Sequence, residues 1–186
     1  MKRILLIRHC HAMGQHKDSP LSKQGNLQAY ELANLLENLS FPIDRIITSP
    51  FLRAKETIKP FANRTGLPIE CDERLKERLL SEQPIDDWMD VLEESFHNDQ
   101  FKLPGGGESS RDAYERADQL LTDCLNNDDF ENTIIVTHGN LLALMLKKFQ
   151  IEFGFHEWKT LTNPDVFFVQ RVGGEFIVER LWKDRD

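Results

Sequence analysis

Four polar or reactive side chains follow a short apolar run near the start of the sequence. Arg8, His9, Cys10 and His11 come directly after residues 4–7 in the segment MKRILLIRHCH. A neutral imidazole can act as a nucleophile, and a guanidinium can bind a carboxylate or a phosphate. Three interpretations are open at this point: a strand that ends at the surface, an active site at the end of a strand, and a metal site formed by the two histidines.

Two later segments carry similar side chains just after an apolar run. Residues 44–48 (DRIIT) precede Arg53, and residues 133–137 (TIIVT) precede His138 and Gly139. We predict that each run is a buried strand and that a helix follows it. Because ligands bind outside the carboxyl ends of parallel strands, two arginines and two histidines are expected to meet at one edge of the sheet.

Such a group of side chains is suited to phosphoryl chemistry. Arginine forks match phosphate oxygens, and helix N-termini offer N–H groups with partial positive charge. A neutral imidazole can attack phosphorus to form a phosphohistidine, and a departing alkoxide then needs a general acid. The segment from 73 to 82 supplies Glu73, Glu77 and Glu82 as candidate acids.

The elements that would position these residues alternate along the chain. Predicted strands lie at 3–9, 44–48, 68–73 and 133–137, followed by an antiparallel hairpin of 165–172 and 175–181. Predicted helices lie at 21–40, from 49 to about 63, near 85–97, from 109 onward and at 140–149. This order predicts an α/β fold, a three-layer αβα sandwich with a mostly parallel central sheet. We expect one domain over residues 1–186, with a lid-like insertion at about 78–107.

Capping residues mark the expected starts of three helices. Ser22 is a plausible N-cap, and Ser109 with Asp112 forms a capping-box pattern. Ser49 and Pro50 are predicted as the N-cap and first residue of the second helix. Arg53 would then lie in the first turn of that helix, where a positive charge is unfavourable, and this favours a functional reason for it.

Composition limits the classes of function. The 186 residues carry a formal net charge of −8, which argues against non-specific binding to nucleic acid or to an anionic membrane. Cys10, Cys71 and Cys124 show no CxxC spacing, so neither a disulfide framework nor a zinc knuckle is expected. The apolar run near residue 4 is too short for a signal peptide, and residues 141–146 are too short to span a bilayer. We therefore expect a cytoplasmic protein; its oligomeric state is not predictable from the sequence.

Six segments together resemble the histidine phosphatase superfamily, in its phosphoglycerate mutase-like branch. In chain order they are LLIRHCH, DSPLSKQGNLQA, ITSPFLRAKET, LKER, GGGESSRDAYERA and IIVTHGN. The matches span residues 3 to about 144. One Arg-His pair would be weak, but six elements in the family's order are a strong signal.

The resemblance implies a role for each matched residue. His9 would be the phosphorylated nucleophile, and Glu77 would first protonate the leaving group and then activate water. The phosphoryl group would be bound by Arg8, Arg53 and His138, and Gly139 at the start of a helix is a further candidate phosphate contact. The mechanism that this family implies needs no metal or cofactor.

The sequence departs from the family pattern in three places. Cys10 stands where the family has glycine. The loop 11–17 is short and lacks an arginine, so Gln15, His16 and Lys17 are candidates to replace it at the phosphate. After Glu77, the segment LLSEQP replaces the usual glycine and aromatic residue, which changes the expected substrate pocket.

Three functions fit these residues. The first is a phosphomonoesterase that hydrolyses a small phosphorylated metabolite; the second is a mutase acting on phosphoglycerates; the third is a non-catalytic phospho-ligand binder. The segment 77–107 is short for a mutase and carries Asp86, Asp87, Asp90, Glu93 and Glu94, which would repel a bisphosphate. We therefore favour the phosphatase. Sugar phosphates, α-ribazole phosphate, small phosphorylated acids and phosphoproteins all remain open as substrates.

Overall fold

A six-stranded sheet forms the centre of the computed structural model, which describes residues 2–150 and 152–182. The strands are β1 (Arg3–Arg8), β2 (Arg45–Thr48), β3 (Ile69–Cys71), β4 (Asn132–Thr137), β5 (Asp165–Val172) and β6 (Glu175–Arg180). The helices are α1 (Lys23–Glu37), α2 (Leu52–Thr65), α3 (Trp88–His97), α4 (Ser110–Asn126), α5 (Gly139–Leu146) and α6 (Phe155–Lys159), with a 3-10 turn at Glu73–Leu75.

The strand order is β3-β2-β4-β1-β5-β6. The first four of these strands are parallel to one another. Strand β5 pairs antiparallel with β1, and β6 pairs antiparallel with β5 at the edge of the sheet. Strand β1 lies between β4 and β5 and is apolar over residues 4–7, as expected when both faces of a strand are covered. The predicted α/β fold with a mostly parallel sheet is confirmed.

Helices cover both faces of the sheet. Leu5 and Ile7 of β1 belong to a core with α1 and α2, whereas Ile4 and Leu6 belong to the opposite core with α4 and α5. This division follows from the two-residue period of a strand, which sends successive side chains to opposite faces. The result is the predicted three-layer arrangement.

Local capping signals identified the starts of two helices. The Ser22 hydroxyl accepts the Gly25 N–H at the start of α1, and Ser109 and Asp112 form the predicted capping box at α4. The prediction for α2 was wrong: that helix begins at Leu52, and its N-cap is Phe51 rather than Ser49. The Ser49 hydroxyl instead lies 2.7 Å from His138 Nε2. It therefore forms a hydrogen bond with a histidine side chain and does not cap the helix.

Other element bounds also differ from the prediction: α1 spans Lys23–Glu37 instead of 21–40, β3 spans Ile69–Cys71 instead of 68–73, and α3 begins at Trp88 instead of near 85. Helix α5 ends at Leu146 instead of 149, and the short helix α6 was not predicted. The Glu157 carboxylate accepts the Gly154 N–H and so caps the start of α6. This helix was not predicted because it is too short to give a periodic apolar pattern.

The segment 78–107 contains α3 and a glycine-rich turn. Gly107 has a φ of +96°, and a Cβ there would lie 2.4 Å from the Leu80 carbonyl oxygen. This close approach lets the Glu108 N–H donate to the Leu79 carbonyl at 2.7 Å. The two ends of the segment therefore meet, while its function as a lid stays a prediction. Among the described residues, no helix combines the length and apolar character needed to cross a membrane.

Candidate active site

The carboxyl ends of β1, β2 and β4 lie side by side. Arg8 is paired with Thr137, and the His9 N–H donates to the Thr137 carbonyl at 3.0 Å. Likewise, the Ser49 N–H donates to the Val136 carbonyl at 2.9 Å. Parallel pairing therefore brings together the residue that follows each strand. We refer to Arg8, His9, Arg53 and His138 as the strand-end centre.

His9 is buried, and both of its ring nitrogens have partners. Nδ1 lies 2.7 Å from the Cys10 carbonyl oxygen, so it must donate its hydrogen there. Nε2 is then unprotonated and accepts a hydrogen bond from Arg53 Nε at 3.1 Å. Burial, with the charges of Arg53 and Arg8, lowers the pKa of His9 to about 3. The imidazole is therefore neutral at neutral pH, with a lone pair on Nε2.

Arg53, the second residue of α2, is buried and fixed by backbone carbonyls. Its Nη1 donates to the Gln15 carbonyl at 3.1 Å and to the His16 carbonyl at 2.9 Å. The side chains of Gln15, His16 and Lys17 are exposed. The loop therefore contributes to the strand-end centre through its backbone, and a phosphate contact by these side chains stays a prediction.

Arg8 is held by the chain that leads into β5. Its Nη1 donates to the carbonyls of Leu161 and Thr162 at 2.9 and 3.3 Å. Gly139 lies directly against the guanidinium, since a Cβ at that position would be 2.9 Å from Arg8 Cζ. Any larger residue at 139 would displace Arg8. Burial lowers the pKa of Arg8, although the charges of Glu77 and Asp165 oppose this effect.

His138 is the N-cap of α5 and is completely buried. Its ring centroid lies 5.1 Å from that of His9, with an angle of 63° between the planes. Burial, followed by the unfavourable effect of a second protonated ring beside His9 and by the charge of Arg53, holds the pKa of His138 well below its usual range. Nε2 is engaged with Ser49, while Nδ1 has no hydrogen-bond partner within the described protein.

Glu77 lies in irregular chain after the 3-10 turn and binds the start of α5. Its Oε2 accepts the Asn140 N–H at 3.1 Å, and its Oε1 accepts the Leu141 N–H at 3.0 Å. A carboxylate is favourable at this positive end of the helix dipole. The expectation of free N–H groups at the start of α5 is therefore wrong for residues 140 and 141, because Glu77 already occupies them.

The two alternative acids lie elsewhere. Glu73 is exposed and forms an ion pair with Lys76. Glu82 is also exposed and packs against Gly106 in the glycine-rich turn. Of these three carboxylates, only Glu77 contacts the helix that follows His138.

The metal interpretation of His9 and His11 finds no support in their geometry. His9 uses both nitrogens as described above, and His11 Nδ1 lies 2.8 Å from the Ser22 hydroxyl. Within residues 2–150 and 152–182, no three His, Cys, Asp or Glu side chains are grouped so that they could hold a metal ion.

Cys10 is buried in the core beside α1 and α2. Its N–H donates to Thr57 Oγ1 at 2.9 Å, so the residue that replaces glycine is held by helix α2. Burial raises the pKa of the Cys10 thiol to about 12, which makes it a poor nucleophile.

Several buried polar atoms of the site have no partner within the described protein. They include Arg8 Nε, His138 Nδ1 and both amide atoms of the Asn140 side chain. Buried polar groups are normally hydrogen-bonded, so these atoms are suited to a polar ligand. Sequence reasoning missed Asn140 and Ser49; the adjacency of Asn140 to His138-Gly139 was the only available signal for it.

Comparisons with known proteins agree with this geometry. Residues 4–183 match the family model described as the histidine phosphatase superfamily (branch 1). The chain belongs to the histidine phosphatase superfamily. The recognition made from the six sequence segments is thus confirmed.

Relatives within the superfamily carry different names. The chain is 24% identical over 160 residues to the adenosylcobalamin/alpha-ribazole phosphatase of Escherichia coli, covering 78% of each protein. It is 30% identical over 162 residues to a Yersinia pestis protein named "Probable phosphoglycerate mutase GpmB", covering 78% of this chain and 74% of that protein. The structure of Bacillus stearothermophilus YhfR superposes with a TM-score of 0.79 at 26% identity, covering 97% of this chain and 96% of that one. The family match and the relatives named as phosphatases confirm the predicted enzyme class, a phosphatase.

Proposed function

We propose that the protein is a phosphomonoesterase that hydrolyses a small phosphorylated metabolite through a phosphohistidine at His9. One observation carries this proposal: His9 Nε2 is unprotonated, buried and oriented by Arg53. A neutral imidazole held in this way is a competent nucleophile towards phosphorus.

In the first step, the phosphoryl oxygens of the substrate take over the hydrogen bond that Arg53 Nε makes to His9 Nε2, and the freed lone pair of Nε2 attacks the phosphorus in line with the departing oxygen. The bond from Nε2 to phosphorus forms as the ester bond from phosphorus to oxygen breaks. Arg8 and Arg53 stabilise the charge on the equatorial oxygens, as expected for phosphoryl transfer. The Nδ1–H bond to the Cys10 carbonyl stabilises the positive charge that develops on the ring.

His138 contributes a further donor to the phosphoryl group. Its Nε2 faces the Ser49 hydroxyl, which also accepts the Phe51 N–H at 3.3 Å. When the hydroxyl donates to Nε2, the hydrogen of His138 is on Nδ1, the nitrogen without a partner. This tautomer presents Nδ1–H to a phosphoryl oxygen without placing another full charge in a buried site.

Glu77 acts as the proton carrier in both steps. It donates a proton to the departing alkoxide, and the carboxylate then takes a proton from the water that attacks the phosphohistidine. The products are an alcohol, inorganic phosphate and free His9. Because Glu77 accepts N–H groups of α5, the start of that helix fixes its distance from the strand-end centre.

Features of α3 favour hydrolysis of a monophosphate over a mutase reaction. Asp87, Asp90, Glu93 and Glu94 are exposed on this helix or at its start. Their negative charge disfavours a bisphosphate, which a mutase must bind. The three cysteines are free, which suits a cytoplasmic location.

Rapid-quench experiments with phosphorus-labelled p-nitrophenyl phosphate test the proposal. We expect steady hydrolysis and an acid-labile, alkali-stable label on the protein. Interconversion of phosphoglycerates primed by the bisphosphate, without comparable hydrolysis, would establish the mutase instead. Tight binding of phosphate with neither reaction would establish the non-catalytic binder. A panel of phosphorylated metabolites, ranked by kcat/KM, would then identify the substrate class.

A further inference from the structure

Arg78, the residue after Glu77, is a buried cation that the proposed reaction does not use. Only 6% of it is exposed. Its Nη1 donates to Ser95 Oγ at 2.7 Å and to Ser110 Oγ at 2.9 Å, and its Nε donates to the Glu108 carbonyl at 3.1 Å. All three acceptors are uncharged, and although the charges of Glu108, Glu77 and Asp112 favour the guanidinium, burial outweighs them and lowers its pKa to about 10. Burying a guanidinium on neutral partners costs free energy, so a stabilising role alone is a weak explanation for it.

The two hydroxyls are oriented to accept from a guanidinium. Ser95 Oγ donates its hydrogen to the Leu92 carbonyl at 2.6 Å, and Ser110 Oγ donates its hydrogen to the Ser95 carbonyl at 2.5 Å. Both serine oxygens therefore turn lone pairs towards Arg78. A lysine ammonium cannot reproduce the planar fork that reaches these two oxygens and the Glu108 carbonyl together.

Glu77 and Arg78 connect different parts of the fold. Neither lies in a helix or strand, so backbone hydrogen bonding of regular structure does not fix them. The carboxylate of Glu77 reaches the start of α5, whereas the guanidinium of Arg78 reaches α3 through Ser95 and α4 through Ser110. The same two residues thus link the candidate acid to the segment 78–107.

The neighbouring chain is anchored on both sides of this pair. Arg116 forms a bidentate ion pair with Glu108 and also donates to the Arg74 carbonyl at 2.6 Å. The Glu108 N–H donates to the Leu79 carbonyl at 2.7 Å. These contacts limit how far residues 74–79 can move, and Arg78 supplies the contact closest to Glu77.

We propose that Arg78 is a positioning residue that holds the Glu77 carboxylate at the start of α5 by tying its chain segment to Ser95 and Ser110. This inference rests on the proposed function, since it assigns Arg78 to the proton transfer made by Glu77. A displacement of about 1 Å in a reacting group can cost about 10²-fold in rate. Arg78 therefore affects the reaction without touching the substrate.

Leaving-group dependence separates this role from a merely structural one. Phenolate is a much poorer leaving group than p-nitrophenolate and needs the acid more. For Arg78→Lys and Arg78→Gln, we expect kcat for phenyl phosphate to fall about tenfold more than kcat for p-nitrophenyl phosphate, as a partial loss of general-acid catalysis. KM for both esters should stay within about twofold of wild type, because no substrate contact is removed.

The serine variants carry the same test without changing a charge. Ser95→Ala and Ser110→Ala each remove one acceptor of Arg78, and we expect the same selective loss at a smaller size. They also keep the test decisive if the Arg78 variants fail to fold. Arg111→Gln is the matched control: Arg111 is on α4 beside Ser110 but forms an exposed pair with Asp99, so both esters should behave as in wild type.

The outcomes distinguish this inference from the proposed function. Absence of hydrolysis and of a phosphohistidine in the wild-type enzyme would overturn the proposed function, and the inference with it. If the wild type is active but Glu77→Gln is unselective, hydrolysis through His9 stands and the role of Arg78 is overturned. A raised KM in the Arg78 variants with unchanged serine variants would show that Arg78 binds substrate, which also overturns a positioning role. Equal loss with both esters would show a structural effect only.

Discussion

The strand-end centre and the segment 78–107 are held in place by different means. The backbone pairing of β1, β2 and β4 fixes the positions of His9 and His138, because each follows directly after a strand whose register is set by its neighbours. Glu77 and the residues after it depend instead on side-chain contacts to α4 and α5. The sheet can therefore keep the phosphoryl-transfer residues constant while the sequence after Glu77 changes. Such a division suits a superfamily whose members carry the names of phosphatases and of mutases.

The largest expected effect comes from replacing His9, the proposed nucleophile. His9→Ala should abolish turnover and the labelled phosphoenzyme together, because in the proposed reaction His138 faces the phosphoryl group with Nδ1, which carries the ring hydrogen and has no free lone pair. Rapid-quench labelling and steady-state assays with p-nitrophenyl phosphate measure both quantities. Label that persists in the variant would show that another residue is phosphorylated.

Glu77→Gln should affect the two chemical steps in different ways. With alkyl phosphates, loss of the proton donor should slow the reaction by about 10²-fold or more. p-Nitrophenolate leaves without much help from an acid, so phosphoryl transfer from p-nitrophenyl phosphate to His9 should be slowed less. The phosphohistidine should then accumulate, because the water that hydrolyses it has lost its general base. Equal slowing of both esters without trapped phosphoenzyme would exclude Glu77 as the acid and return attention to Glu73 and Glu82.

The same substitution should also weaken α5. A glutamine side chain keeps one acceptor oxygen but loses the charge that favours the positive end of the helix. Thermal unfolding of Glu77→Gln with and without saturating phosphate would separate this structural cost from the kinetic effect.

Acidic conditions should destabilise the fold through the buried histidines. The pKa of His9 is lowered from 6.5 in the unfolded chain to about 3, and that of His138 is also lowered. Below pH 6.5 the unfolded chain therefore binds more protons, so the free energy of unfolding falls as pH falls. Each histidine contributes a slope of up to about 1.4 kcal/mol per pH unit. Urea unfolding between pH 7 and 5 measures the slope, and His9→Gln should reduce it by the contribution of one proton; an unchanged slope would contradict a neutral His9.

Substitutions in α3 should give smaller and more selective effects. Replacing Asp87, Asp90, Glu93 and Glu94 by their amides should raise kcat/KM for substrates with extra negative charge by a few-fold at low salt. The effect should disappear at high ionic strength, and p-nitrophenyl phosphate should change least. A uniform change across substrates would show that these charges do not face the substrate.

Chelation should have the smallest effect of all. In the proposed reaction, Arg8 and Arg53 supply the positive charge that a metal provides in other phosphoryl-transfer enzymes, so EDTA should leave kcat unchanged. Loss of activity that zinc restores would revive the His9 and His11 metal interpretation.

Much of the strand-end centre was predictable because local signals and topology agreed there. An apolar run followed by Arg8-His9 or by His138-Gly139 predicts both the strand and the location of the side chains at its end. The assignment of Ser49 as a helix cap failed because a local rule competed with a tertiary contact, and the His138 imidazole took the hydroxyl. Contacts of this kind join residues that are 89 positions apart in sequence, so no local pattern reveals them.

The contacts around Glu77 were less predictable for the same reason. Its position in the segment LKER gave the residue, but its attachment to the start of α5 depends on how irregular chain folds. The role of Arg78 was not visible, because its three acceptors lie on α3, on α4 and just before α4. Helix α6 was missed because five residues are too few for a helical period.

The place of Arg8 in the sheet has a consequence for how the protein is made. Strand β1 leaves the ribosome before its partners: β4 and β5 begin at Asn132 and Asp165, and the Leu161 carbonyl that binds Arg8 lies 153 residues further along. Translation adds about 5–20 residues per second, so these partners are synthesised on the order of ten seconds after the apolar residues of β1. Until then the nascent chain exposes an unpaired hydrophobic strand, which is a natural binding site for chaperones. Arg8 can acquire its native contacts only once residues 161 and 162 and strand β5 have been translated, so incomplete chains that end before this strand cannot assemble the strand-end centre.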